Sequence, residues 1–169
     1  MISKAIEALK SKGYHVGGMI SQEVKKEGTR IGFEIIDLNT GEKGWLAHVN
    51  QPEGPQVSKY RVNLRDLNAV GVKAIQAALK EAEVVVIDEI GKMELFSEAF
   101  KQVVQDAVNS DALILGVIHQ GAQDPFIDSI RQSDDSEITV VTFENRSSLH
   151  NTLIQNALKY LQETSHGKR

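Results

Sequence analysis

Apolar positions in this chain follow two rhythms, a helical spacing near 3.6 and short unbroken runs. Ile2, Ile6 and Leu9 share one face of residues 2–12, Lys4, Lys10 and Lys12 lie elsewhere, and Gly13 is placed to end a helix. Val16 to Ser21 reads as a strand and Gly28 as a turn. Ile31 to Leu38 alternates apolar and polar residues as far as Asp37, and Asn39-Thr40-Gly41 makes a turn. Trp45 to Val49 then returns as the partner strand, which predicts a small antiparallel insertion. Pro52, Gly54 and Pro55 mark residues 51–63 as loop.

Helical spacing resumes at Leu67, Val70, Ala74, Ile75, Ala78 and Leu79, predicting a helix from Arg65 to Lys80. Val84 to Asp88 is a strand, Glu94 to Asn109 a helix, and Ala112 to Ile118 a second apolar strand. Phe126 to Arg131 reads as a short helix, Ile138 to Phe143 as a strand and Arg146 to Leu161 as the closing helix. The polar tail, Glu163 to Arg169, is expected to fray. Val84-Val85-Val86-Ile87 lacks alternation, as in a strand buried on both faces of a parallel sheet. Strands alternating with helices imply right-handed crossovers. The expectation is one three-layer α/β domain over residues 1–162, its sheet mainly parallel, followed by the tail at 163–169.

Composition narrows the function. A length of 169 residues suits one domain, with 41% hydrophobic and 25% charged residues. The net charge of −4 offers no basic field for nucleic acid, and only 5% of residues are aromatic. Cysteine is absent, which excludes a disulfide scaffold, a thiolate nucleophile and a cysteine-based zinc site. No apolar run approaches the roughly 20 residues of a membrane span, and lysines interrupt the N-terminal apolar positions where a signal peptide would need none. A soluble cytoplasmic protein is expected.

The candidate chemistry gathers where the Val84–Asp88 strand ends. Asp88 and Glu89 fall at the carboxyl edge of a parallel sheet, where open α/β proteins bind ligands. A carboxylate there can hold Mg²⁺ through its water shell, and its neighbour can orient or deprotonate an attacking water. Lys92 is within reach of a phosphate or is simply solvated. Glu94 positions water or sits in a first helical turn, where the macrodipole favours it. Gly17 and Gly18 suggest close backbone approach beside a strand, with Glu23 just past its end. Arg30 and Arg146 are able to neutralise phosphate or to form surface ion pairs. The five histidines lack metal-ligand spacing, although His119, following the Leu113–Ile118 strand, is able to face the ligand crevice.

Five segments together resemble the THEP1-type nucleoside-triphosphatase family of P-loop proteins. They are residues 17–24 (GGMISQEV), 28–38 (GTRIGFEIIDL), 60–62 (YRV), 84–100 (VVVIDEIGKMELFSEAF) and 143–146 (FENR). The resemblance runs through most of the chain, and the segment DEIGKMEL carries the most weight. It implies a parallel sheet flanked by helices and hydrolysis of ATP, GTP and other triphosphates to diphosphate and phosphate, with Mg²⁺ as cofactor. Asp88 takes the metal role and Glu89 the catalytic acid–base role. The nucleotide-binding run it implies is Val85, Val86, Ile87, Asp88, Glu89, Ile90, Gly91 and Lys92, a Walker B segment.

The chain departs from the family pattern in one respect. Nowhere does it contain G-x-x-x-x-G-K-[ST], the loop whose amides and lysine cradle phosphates. Residues 2–12 look like the helix that follows such a loop. The favoured expectation is an internal methionine at position 1, with a strand and phosphate loop upstream in the native protein. The alternative is a degenerate, non-catalytic family member acting as an interaction module.

Overall fold

Val84, Val85, Val86 and Ile87 are completely buried, as in a strand enclosed on both faces and along both edges. In the computed structural model, which describes residues 1–166, they belong to the strand β6, Val84–Ile90. Preceding it are a helix α1 (Ile2–Ser11), strands β1 (Val16–Lys26), β2 (Thr29–Asp37), β3 (Lys43–His48), β4 (Gln56–Val57) and β5 (Tyr60–Val62), and helices α2 (Leu64–Asp66) and α3 (Lys73–Glu81). After it come α4 (Glu98–Val108), β7 (Leu113–Ile118), α5 (Pro125–Arg131) and α6 (Leu149–His166).

The seven strands form one sheet in the order β4-β5-β3-β2-β1-β6-β7. β6 runs parallel to β1, with Val16 opposite Val84 and Ile20 opposite Asp88, and parallel to β7 on its other side. From β1 outward to β4 every pairing is antiparallel. The α/β fold expected from the alternating elements is therefore present, with a sheet that is mixed. The antiparallel extension is larger than the sequence suggested. β1 continues to Lys26 and turns through Glu27 (φ 50°) and Gly28 (φ 78°), a two-residue hairpin matched to strand twist. Two short strands, β4 and β5, also form inside the expected 51–63 loop.

Strand parity divides the core in two. Val16, Val84 and Val86 pack with Ile6 and Leu9 of α1 and with Ala157 and Leu161 of α6. Met19, Val85 and Ile87 pack on the opposite face against Ala74, Ile75 and Ala78 of α3 and Phe100, Val103 and Val104 of α4. Gly18 makes the β1–β6 approach possible: at φ 112°, a Cβ there would collide with the Val86 carbonyl oxygen. Gly17 lies as close to α3, where a Cβ would stand 3.0 Å from Ala78 Cβ.

Several expected boundaries move for local reasons. The Glu94–Asn109 helix is two pieces, a 3₁₀ turn (Glu94–Phe96) and α4. Ser97 interrupts it, capping α4 by accepting the Phe100 amide at 3.0 Å while donating to Asn68 Oδ1 at 2.6 Å. The Arg65–Lys80 helix is helical throughout but widens to a π-helix over Leu67–Val72. Ile138–Phe143 is not a strand: among the described residues no strand pairs with the outer edge of β7. Asn145 instead folds this segment into a turn, bonding the Val140 carbonyl and the Thr142 amide, both at 2.8 Å. The closing helix starts at Leu149 and runs through Glu163 to His166, so the expected tail is partly helical, and residues 167–169 lie outside the described residues.

Gly18→Ala is expected to cost about 2–4 kcal/mol and to lower Tm by roughly 5–15 °C. Gly28→Ala, whose Cβ would meet open space, should cost only about 1 kcal/mol. Equal melting temperatures for the two variants would contradict the close β1–β6 approach.

Candidate active site

Because β6 is enclosed on both faces, the first polar side chains it can carry are those at its carboxyl end. Asp88 and Glu89 are both half-buried there and open into a cavity of about 390 Å³. One wall is apolar and comes from the antiparallel extension: Phe33 of β2, Leu46 of β3 and Val57 of β4, faced by Met93. Lys92, Glu94 and His119 also line it, together with Ser21, Gln22 and Glu23 from the middle of β1. The volume falls within the range of small-molecule sites.

The two adjacent carboxylates point to different surroundings. Asp88 lies near the start of α1, where the amino group of Met1 favours its ionised form. Burial first and the neighbouring Glu89 second outweigh that, pushing the carboxyl from its ordinary 3.8 up to about 6. Glu89 lies instead beside Gly91 and Glu94: a methyl group at Gly91 would stand 2.9 Å from Glu89 Oε1 and 3.2 Å from Glu94 Oε2.

Glu94 is only 2% exposed. Its Oε2 accepts the Gly91 amide at 3.1 Å, while the Gly91 carbonyl accepts the Leu95 amide at 3.1 Å. Burial pushes this carboxyl from 4.5 up to about 8, with Glu89 and Asp88 adding to the rise and the backbone amides opposing it. It is therefore chiefly neutral at pH 7. His119 is tied to the same corner, its amide donating to the Ile90 carbonyl at 3.2 Å and its Nδ1 accepting from the Gly121 amide at 3.2 Å.

Of the sequence candidates, Asp88, Glu89, Lys92, Glu94, Glu23 and His119 meet at one cavity. Val85, Val86 and Ile87 are wholly buried, and they hold the strand that presents the two acids. Ile90 and Gly91 are buried beneath the turn. Arg30 bonds Glu23 at 3.2 Å and lies over the Phe33 ring at 5.4 Å, so it braces the rim through an ion pair. Lys25, hydrogen-bonded to the same carboxylate, holds Glu23 below its ordinary pKa, with Arg30 adding to the effect. Arg146 packs over Phe143 at 4.8 Å and is not among the cavity residues. The apolar wall was missed in the sequence. Alternation at 31–37 marked which face is apolar, but not that the extension closes over the sheet end.

Among the described residues no group of three or more His, Asp or Glu side chains is arranged to hold a metal ion. Mg²⁺ does not need one. It is commonly held by one or two carboxylates, its own waters and substrate phosphates, and Asp88 supplies a carboxylate of that kind beside an open cavity.

A mixed α/β sheet with paired acids at the carboxyl end of a buried strand is the arrangement of an open α/β ligand-binding protein. A family model described as NTPase matches residues 1–154. The chain is 44% identical over 149 residues to nucleoside-triphosphatase THEP1 of Thermofilum pendens, covering 88% of this chain and 82% of that protein. It is 38% identical over 159 residues to its counterpart in Methanocaldococcus jannaschii, covering 94% and 89%. In fold it is similar to the crystal structure of THEP1 from Aquifex aeolicus (TM-score 0.79, 24% identity, 90% of each chain). It is also similar to the solution structure of a human cancer-related nucleoside triphosphatase (TM-score 0.77, 35% identity, 91% and 87% covered). This chain belongs to the THEP1 nucleoside-triphosphatase family.

The buried acid makes stability depend on pH. With its folded value raised above 4.5, Glu94 contributes fully below pH 4.5, and that contribution is lost as pH climbs toward about 8. The loss is on the order of 5 kcal/mol at 1.36 kcal/mol per unit. Asp88 adds a decline between 3.8 and about 6. Glu94→Gln should therefore gain Tm over the parent at pH 8 and show no such gain at pH 5. A gain of the same size at both values would contradict the assignment.

Proposed function

We propose that this protein is a Mg²⁺-dependent nucleoside-triphosphatase, converting ATP, GTP and other nucleoside triphosphates to the diphosphate and phosphate. The observation that carries the reading is the opening of Asp88 and Glu89, adjacent on β6, into one ligand-sized cavity. Asp88 would hold Mg²⁺ through water ligands. The ion, bound with the triphosphate, neutralises phosphate charge and orients it for in-line displacement. Glu89 accepts a hydrogen bond from the attacking water and takes its proton. The water oxygen bonds to the γ-phosphorus as the bond to the β–γ bridging oxygen breaks. Amides at the start of α1 attract the negative phosphates, and Lys92, exposed at the cavity mouth, can pair with one of them. The absence of cysteine and of any described helix long and apolar enough to cross a membrane supports a cytoplasmic location.

A non-catalytic interaction module is the second reading. It predicts no Mg²⁺-dependent rise in Tm with ATP or GTP. The hydrolase reading predicts that rise. It also predicts that Glu89→Gln lowers turnover by at least about 100-fold while binding of Mg-GTP persists. Unchanged turnover in Glu89→Gln would sink the base assignment.

A further inference from the structure

Glu94 is more buried than any other acidic side chain among the described residues, and the reaction above does not use it. No described lysine, arginine or histidine forms an ion pair with it. A buried acid without a counter-charge is costly compared with a glutamine or an aliphatic residue of similar volume. Its carboxyl nevertheless has a definite partner in the Gly91 amide, three residues back across the turn that leaves β6. The Gly91 carbonyl is held by the Leu95 amide, so both polar groups of Gly91 are committed to the segment that Glu94 begins. The Glu89 carboxyl also stands against Gly91, close enough that a single methyl group there would press on both acids.

We propose that Glu94 is a positioning residue for triphosphate hydrolysis: its carboxyl clamps the Gly91 turn and thereby fixes where Glu89 points. The inference rests on the hydrolase reading. As a chiefly neutral group, Glu94 adds little negative charge beside Glu89, and the absence of a side chain at Gly91 lets the two carboxyls approach. An aliphatic residue in its place leaves the Gly91 amide without its acceptor, and the turn is then free to shift. Displacements of this kind lower rate more than affinity.

The test compares kcat and KM for Mg-GTP in Glu94→Leu, Glu94→Gln and Gly91→Ala, with folding checked by circular dichroism and Tm. Glu94→Leu is expected to lose about 10- to 100-fold in kcat with KM close to the parent value. Glu94→Gln, whose amide oxygen still accepts from Gly91, should recover most of that loss. Gly91→Ala leaves Glu94 in place but pushes the carboxyls apart, and is expected to lower kcat in a folded protein. It therefore decides the matter if Glu94→Leu does not fold. A folded Glu94→Leu or Gly91→Ala with undiminished kcat overturns the proposal. So does a Glu94→Gln as impaired as Glu94→Leu, since proton exchange rather than position would then be the requirement. Glu89→Gln run in parallel separates the two claims. Retained turnover there refutes the base assignment. Lost turnover there, with the other variants unaffected, refutes only the positioning role.

Discussion

The enclosure of β6 is the constraint on which everything else depends. Four consecutive residues without polar atoms in their side chains leave this strand no solvent-facing side, so it must lie between β1 and β7 with helices above and below. A strand so placed can carry charge only where it ends. Asp88 and Glu89 are therefore directed to the carboxyl edge by the burial of the residues before them. The glycines of β1 answer the same constraint from the other side, because a side chain at Gly18 would push β1 away from Val86.

Electrostatics at that edge follow first from burial and then from crowding. Asp88, Glu89 and Glu94 meet at one small cavity, while the cations of the rim are engaged elsewhere: Lys25 and Arg30 both pair with Glu23. Three carboxylates cannot all ionise cheaply at such separations in a partly dry site. The most buried of them, Glu94, yields by staying protonated, and Asp88 moves part of the way. The same crowding prepares the site for a cation bound with phosphate, which would lower the values that burial has raised. An acidic corner of this kind accommodates an anionic substrate when positive charge arrives with it, beside the Lys92 that lines the same cavity.

Much of this was legible in the chain because it rests on local pattern. The unbroken apolar run announced a doubly covered strand, and the acids after it marked the strand end where a cavity opens. What escaped the sequence depends on distant partners. Glu94 was balanced between a water-positioning group and a helix-start residue, and its burial is set by α4 and the β6 turn closing around it. Phe33, Leu46 and Val57 gave an alternating signal for a half-buried sheet. That signal does not say that these residues line the cavity with Asp88 and Glu89. Arg30 shows the reverse case, a cation suited to phosphate that the hairpin places beside Glu23.

The Ile138–Phe143 segment shows why apolar content alone does not make a strand. Its β-branched residues have strand propensity, yet Ile138 is 51% and Phe143 81% exposed. Propensity in sheets measures how well a side chain packs on a pleated neighbour, and it has little force where no neighbour exists. The outer edge of β7 carries no described partner, and β7 itself is only partly buried, unlike β6. Without ladder hydrogen bonds, the backbone polar groups of 138–143 need other partners, and Asn145 provides two of them within a few residues. Arg146 then covers Phe143 from one side. The difference between β6 and this segment lies in their surroundings: one apolar run has strands on both edges, the other has a side-chain turn.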